Sequence, residues 1–218
     1  MFLPLLSSVV TIVLAGDLSK YRNFELGMDL PRAARLAGAN LSHLKVIQSR
    51  PFLLQDLDWR TQPLGSSAHT EPAKDVTFSF YDGKLFRIVV SYDRYETEGL
   101  TPTDLVESIS ATYGAGTIPA AASKSSLPRY DDQDEVLARW EDAQHRFELI
   151  RSSYRNSFKL IGVLKRLESP VQASILEAAR LDDKEAPQRE TERFAKEQET
   201  ERAKMEKARL VNKPRFRP

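Results

Sequence analysis

The chain has 218 residues, 41% hydrophobic and 29% charged, a composition typical of one globular domain with a polar surplus. Its 32 basic and 31 acidic residues give a net charge of +1, so we expect no nucleic-acid partner. The absence of cysteine excludes disulfides, thiolate metal sites and cysteine nucleophiles.

The N-terminal segment is an apolar run without a charged side chain, MFLPLLSSVVTIVLA. It has the length of a signal-peptide core and is short for a membrane span. We therefore predict a signal peptide over residues 1–15, cleaved after Ala15, and a periplasmic or secreted protein. The alternatives are an uncleaved anchor and a buried N-terminal element, and the latter would make the protein cytoplasmic.

Residues 16–168 are predicted to form the α+β domain, which begins with a short helix over 29–38. Asp29 is its expected N-cap, Pro31 lies in the first turn and Gly38 ends it. LKVIQ at 44–48 and FLLQDLDW at 52–59 then have the composition of extended segments.

The hairpin over residues 76–92 contains two β-prone runs around Asp82-Gly83. A two-residue turn there would place Arg87 opposite Phe78, among aromatic side chains. We therefore predict a turn at Tyr81-Asp82, with Gly83 in a G1 bulge and Phe78 opposite Phe86. The predicted core face is Val76, Phe78, Phe80, Phe86, Ile88, Val90 and Tyr92. The residues predicted on the other face are Thr77, Ser79, Arg87 and Ser91.

A second helix is predicted over residues 102–113. Thr101 and Asp104 have the spacing of a capping box, Pro102 occupies the first helical position and Gly114 ends the helix. The charged residues just before it, at 93–98, are interpreted as protection of an exposed sheet edge, with a catalytic carboxylate pair as the alternative.

Strands are predicted over residues 136–167, as a hairpin followed by one further strand. Residues 169–218 are predicted to form a C-terminal helix and a charged tail, starting at the capping pattern Ser169-Pro170-Val171-Gln172.

The C-terminal segment changes character after Leu181. Between Asp182 and Arg209, 17 of 28 residues are charged, several at the i,i+4 spacing that supports an isolated helix. Apolar residues are too sparse for a heptad seam, so we expect a monomer with a solvated helix that kinks or restarts at Pro187. The terminal NKPRFRP alternates cations with Pro and Phe, and contact with a membrane surface is one expectation for it.

Motifs for phosphate cradles and nucleophile elbows are absent from the sequence, and we predict no catalytic residues, no cofactor and no enzyme activity. The three histidines, His43, His69 and His145, lack the spacing of a zinc motif. The remaining metal candidate is an acidic run whose oxygens suit calcium, although it lacks the alternate spacing of an EF-hand loop. That run is Asp131, Asp132, Asp134 and Glu135.

Several of these features recur together in one family. The apolar start, the helix within LGMDLPRAARLAG, the hairpin YDGKLFRI and the helix ending in Tyr113-Gly114 resemble the layout of small exported bacterial domains of the SmpA/OmlA, BamE-like type. The resemblance covers Phe24 to Trp140, and the chain also resembles an uncharacterised exported bacterial family of that layout. It implies a non-enzymatic envelope scaffold with helices packed on a sheet.

The fold class expected from these elements is α+β, with an antiparallel sheet, two or three packed helices and a long charged C-terminal helix. We expect a non-catalytic exported binding or scaffold protein whose charged helix reaches a protein partner or a surface. The alternative is a small-ligand-binding protein or an enzyme, with a pocket between the sheet and the helices.

Overall fold

The structure is a computed structural model that describes residues 16–40, 44–60, 72–119, 134–152, 157–215 and 217. The predicted signal peptide therefore lies outside the described residues. The chain divides into two units between Ala173 and Ser174.

The first unit contains nine strands, two helices and the start of a third among its described residues. The strands are β1 Lys20–Tyr21, β2 Phe24–Glu25, β3 Leu44–Gln48, β4 Leu54–Arg60, β5 Ala73–Tyr81, β6 Lys84–Tyr92, β7 Glu135–Glu141, β8 His145–Ser152 and β9 Ser157–Leu164. The helices are α1 Leu30–Ala37, α2 Pro102–Tyr113 and α3 Lys165–Asn212, which is followed by a 3₁₀ turn at Lys213–Arg215.

Seven of the strands form one antiparallel sheet in the order β3-β4-β5-β6-β9-β8-β7, and β1 and β2 form a separate two-stranded ribbon. The predicted α+β class, with its antiparallel sheet and long C-terminal helix, is confirmed. The sheet consists of two antiparallel meanders, β3-β4-β5-β6 and β7-β8-β9, whose last strands pair with each other at Val89 and Ile161. α1 precedes the first meander and α2 precedes the second.

The predicted turn of the central hairpin is wrong. Asp82 and Gly83 both have positive φ, at 48° and 76°, as a two-residue type I′ turn requires, and Phe80 lies opposite Leu85. The extra residue is accommodated one step further along, at Phe86, so that Ser79 opposes Arg87 and Phe78 opposes Ile88. Because of this bulge at Phe86, Arg87 lies on the face opposite the aromatic side chains. No bulge at Gly83 is needed to place it there.

The inner face of the sheet, the face packed against α1 and α2, contains the main core. The predicted core residues of the hairpin lie there except Phe86, which the bulge removes and Leu85 replaces. Ala33 and Ala34 of α1 and Leu105, Ile109 and Tyr113 of α2 belong to the same core, as do the following sheet residues. These are Leu57, Val76, Phe78, Phe80, Leu85, Ile88, Val90, Ala138, Trp140, Phe147, Leu149, Phe158, Leu160 and Leu164.

The caps of the two short helices differ from one another. α2 has the predicted capping box, in which Asp104 N donates to Thr101 Oγ1 at 3.2 Å and Thr101 N donates to Asp104 Oδ2 at 2.7 Å. Asp29 occupies the N-cap position of α1 but makes no side-chain cap bond, because its carboxylate pairs with Lys84 of the hairpin. That ion pair links the start of α1 to β6.

The start of α3 was predicted four residues too late. β9 ends at Leu164 instead of residue 167, and the helix begins at Lys165 rather than at Ser169. Tertiary contacts override the local capping pattern: Lys165 N donates to Gln144 O at 2.9 Å, and Glu168 pairs with Arg146 of β8. α3 also continues through Pro187 without the predicted restart.

Candidate functional site

A pocket of about 560 Å³ opens beside α2 in the first unit. Its walls come from the β1–β2 turn, the end of β6, the segment that leads into α2, one face of α2 and β9. The lining residues are Tyr21, Arg22, Pro72, Tyr92, Glu96, Thr97, Leu100, Asp104, Leu105, Ser108, Ile109, Thr112, Tyr113 and Leu160.

Three tyrosines line the pocket, and each is the last residue of its element: Tyr21 of β1, Tyr92 of β6 and Tyr113 of α2. The Tyr113 hydroxyl donates to Lys20 O at 3.1 Å, and its ring stacks on Phe147 with 4.7 Å between the centroids. The Arg22 guanidinium carbon lies 5.2 Å from the centre of the Tyr21 ring, within range of a cation–π contact. The pocket therefore combines ring faces, hydroxyl groups and a cation.

The hydroxyls of Tyr92 and Tyr113 are donors rather than bases. Burial raises the pKa of Tyr92 and the pKa of Tyr113 far above the ordinary tyrosine value, because a phenolate there would lose its hydration, and neighbouring Tyr21 adds to both shifts. Both hydroxyls therefore stay protonated at neutral pH. The Tyr92 hydroxyl can donate a hydrogen bond to a ligand but does not accept its proton, whereas the Tyr113 hydroxyl already donates its proton to Lys20 O.

Two polar residues of the pocket wall, Asp104 and Thr97, form hydrogen bonds within the protein. The hydrogen bonds from Thr101 hold the pKa of Asp104 below its ordinary value, so this carboxylate is ionised and occupied by the α2 cap. Thr97 donates its hydroxyl proton to Asp93 O at 2.9 Å. Ser108 and Thr112, which are exposed on α2, lie along the same wall and can meet a ligand.

The outer face of the sheet, opposite α1 and α2, contains a buried group of charges. Glu148, with a side chain 5% exposed, accepts from Arg139 Nε at 2.9 Å, and its Oε1 lies 3.4 Å from Arg146 Nε. Arg146 also pairs with Glu168, while Arg87 Nη2 donates to Ser79 Oγ at 3.0 Å. Beside them lies a small apolar cluster of Val136, Ile150, Ile161 and Val163. The charges of Arg139, Arg146, Glu148 and Glu168 are paired with one another and form a structural network.

The predicted calcium site is only partly within the described residues, because Asp131 and Asp132 lie outside them. Glu135 begins β7 and pairs with Arg151, a cation that competes with a metal for the carboxylate. Asp134 Oδ1 is buried without a hydrogen-bond partner among the described residues. The described ranges contain no group of three His, Cys, Asp or Glu placed to hold a metal, and calcium binding stays a prediction.

One of the three histidines, His145, lies within the described residues. It begins β8, where its Nδ1 lies 3.2 Å from Asp142 Oδ2 while its backbone N donates to Asp142 Oδ1 at 2.6 Å. Asp142 thereby closes the turn between β7 and β8, which gives His145 a structural role. His43 and His69 lie outside the described residues.

The interpretation of residues 93–98 as edge protection is wrong. β6 is a central strand that pairs with β5 on one side and β9 on the other, so it presents no edge to protect. Asp93 instead shapes the turn that leads to α2, because its Oδ1 accepts from Tyr95 N at 2.8 Å.

The sequence did not predict the pocket tyrosines. The sequence signal for them is weak: each tyrosine is the last residue of a strand or helix, and Tyr92 and Tyr113 lie at the two ends of the segment that runs from β6 through α2.

Comparisons with family models, with curated proteins and with solved structures give no match. The BamE-like resemblance therefore stays a prediction. No described helix has both the length and the apolar composition required to cross a bilayer.

Proposed function

We propose that this chain is a non-catalytic exported protein, periplasmic or secreted, that binds a protein partner through its charged C-terminal helix. The observation that carries the proposal is the exposure of that helix: all 30 side chains from 186 to 215 are exposed. Side chains that bury no area contribute little to domain stability. A helical surface of this length is therefore better explained by a partner than by the core.

The helix is supported by its own charges, which favours a binding role. Arg189 lies 2.9 Å from Glu185, Arg193 lies 3.7 Å from Glu197 and Arg209 lies 3.1 Å from Glu206, all at helical spacing. Such pairs, although exposed and screened by solvent, favour the helical conformation of an isolated segment. A helix formed in advance loses less conformational entropy on binding than a disordered segment.

Exposed apolar side chains offer anchors for the partner. Phe194, Met205 and Leu210 are 62%, 65% and 66% exposed. They are too widely spaced for the seam of a coiled coil. This spacing supports a monomer that binds another protein rather than a second copy of itself. Buried apolar anchors surrounded by polar contacts are the usual source of binding energy in protein interfaces.

Export and an envelope scaffold role are supported by the apolar run at 1–15 and by the BamE-like resemblance. The compartment is tested by the intact mass of the protein recovered from its native host. A mass lacking Met1–Ala15 in an envelope or secreted fraction would support export, and a full-length cytosolic mass would contradict it.

Truncation after Glu185 tests whether the helix is a binding element rather than a stabilising one. We expect the melting temperature of the shortened chain to lie within about 2 °C of the full chain, because the described side chains among those removed are all exposed. Thermal unfolding followed by circular dichroism measures this. A fall of many degrees would show that residues 186–218 stabilise the domain, contrary to the proposal.

Small-ligand binding is a second candidate function, favoured by the pocket with its three tyrosines. Ser108→Trp should fill the pocket and abolish binding, because position 108 lines it, whereas Glu107→Trp places the same ring on an exposed position that does not line it. Ligand-observed NMR with a library of polar aromatic fragments is the measurement. Fragments that bind equally to both variants, or no bound fragment at all, would reject this candidate.

A further inference from the structure

We propose that the last part of the chain, residues 202–217, binds the anionic headgroups of a lipid surface. This segment, called here the basic end, includes the end of α3 and the 3₁₀ turn. This inference rests on the proposed function, in which the helix is a binding element. It adds a second binding target, the anionic lipid headgroup.

The charges of the C-terminal helix are separated along its length. Residues 182–201 contain eight acidic and four basic side chains, whereas residues 202–217 contain one acidic and seven basic side chains. The chain as a whole is almost neutral, so this separation is local. A helix dipole favours cations only in the last turn, which does not account for Arg202, Lys204 and Lys207. The distribution therefore points to an external anion.

Most cations of the basic end have no acidic partner in the described part of the chain. Lys204 lies 3.9 Å from Glu201 and Arg209 lies 3.1 Å from Glu206. No ion pair within the described residues involves the other five, which are Arg202, Lys207, Lys213, Arg215 and Arg217. Arg202 and Arg209 lie seven residues apart on one side of the helix, and Lys213 follows four residues later, so a continuous cationic stripe is available.

Exposed apolar side chains in the basic end favour a lipid bilayer over nucleic acid as the anionic surface. Met205, Leu210 and Val211 are 65%, 66% and 47% exposed and lie among the cations. Aliphatic groups next to Lys and Arg are typical of helices that lie in a bilayer interface, where they enter the acyl boundary. A nucleic-acid backbone gains little from such aliphatic groups, because its affinity for proteins comes mainly from phosphate charge.

A second copy of the chain is a weaker candidate for the occupant. Its acidic stretch at 182–201 complements the basic end in sign, but exposed ion pairs contribute little and are screened by salt. The apolar positions also form no seam to hold two helices together. An anionic bilayer instead raises affinity about fivefold for each Lys or Arg near its surface, which over five or more cations gives measurable binding.

The test is co-sedimentation of the full chain with vesicles of phosphatidylcholine containing about 30% phosphatidylglycerol, against phosphatidylcholine alone. One variant carries Arg202→Gln, Lys207→Gln, Lys213→Gln and Arg215→Gln. The matched control carries Lys184→Gln, Arg189→Gln, Arg193→Gln and Lys196→Gln, which changes net charge equally. Both keep the N-terminal apolar run, so its contribution cancels, and circular dichroism checks that both remain helical.

We expect the first variant, which loses four cations at about fivefold each, to lose about 600-fold in partition to anionic vesicles and the control to stay within about threefold of the unmodified chain. Binding should also weaken as salt is raised. Equal losses in both variants, or no preference of the unmodified chain for anionic vesicles, would overturn the proposal. Release of the chain from vesicles by duplex DNA at equal phosphate concentration would overturn it in favour of nucleic acid. The proposed protein partner is tested separately by cross-linking, so either idea can fail alone.

Discussion

Gly162→Ala is expected to lower the free energy of unfolding by about 3 kcal/mol, because the new methyl group overlaps a buried ring. A Cβ atom at Gly162 would lie 2.4 Å from Cε1 and 2.6 Å from Cζ of Phe147, the residue directly opposite on β8. Phe147 is fully buried and stacks on Tyr113, which leaves its ring little room to shift. Urea denaturation followed by fluorescence measures the loss.

A double-variant cycle separates this overlap from a backbone effect. Phe147→Leu removes the ring atoms that the new methyl group would meet, so Gly162→Ala should be much less destabilising in that background. An equal loss in both backgrounds would show that the contact with Phe147 is not the cause.

Glu148→Gln is expected to destabilise the domain by about 3 kcal/mol, because it leaves two arginines without their shared carboxylate. Glu148 Oε1 lies 2.7 Å from Arg139 Nη2 and 3.4 Å from Arg146 Nε. The carboxylate is 5% exposed and the Arg146 side chain 14%, so water compensates poorly for the lost charge. Denaturant unfolding at neutral pH gives the change in free energy.

Glu135→Gln is the matched control in the same sheet. Glu135 pairs with Arg151 across β7 and β8, but these side chains are 42% and 38% exposed. We expect a loss below about 1 kcal/mol there, because solvent screens the pair. Similar losses in the two variants would mean that burial of Glu148 does not govern its contribution.

Locally encoded elements could be predicted from the sequence. The bounds of α2 follow from Thr101, Pro102 and Asp104, whose capping interactions involve only neighbouring residues. The β7–β8 hairpin also implies the pairing of Arg139 with Glu148, because residues at that separation face each other across its turn. The antiparallel pairings of β5 with β6 and of β7 with β8 follow from the short turns that join them.

Features that depend on distant contacts could not be predicted. Asp82-Gly83 is compatible with both turn types, and the choice depends on whether Phe86 or Gly83 takes the extra residue. The central position of β6 depends on its pairing with β9, which lies far along the chain. The tyrosine pocket likewise brings together Tyr21, Tyr92 and Tyr113 from three separate elements, and no sequence pattern connects them.

Cross-linking in the native host tests most directly whether the helix beyond Glu185 is the binding element of this protein. The full chain and the chain ending at Glu185 are compared under a lysine-independent photo-cross-linker placed at Thr103, an exposed domain position, and, in the full chain, also at Glu199. We expect a discrete adduct from Glu199 and none from Thr103 in either chain. An adduct from Thr103 that survives the truncation, with none from Glu199, would place the interface on the domain and contradict a binding role of the helix.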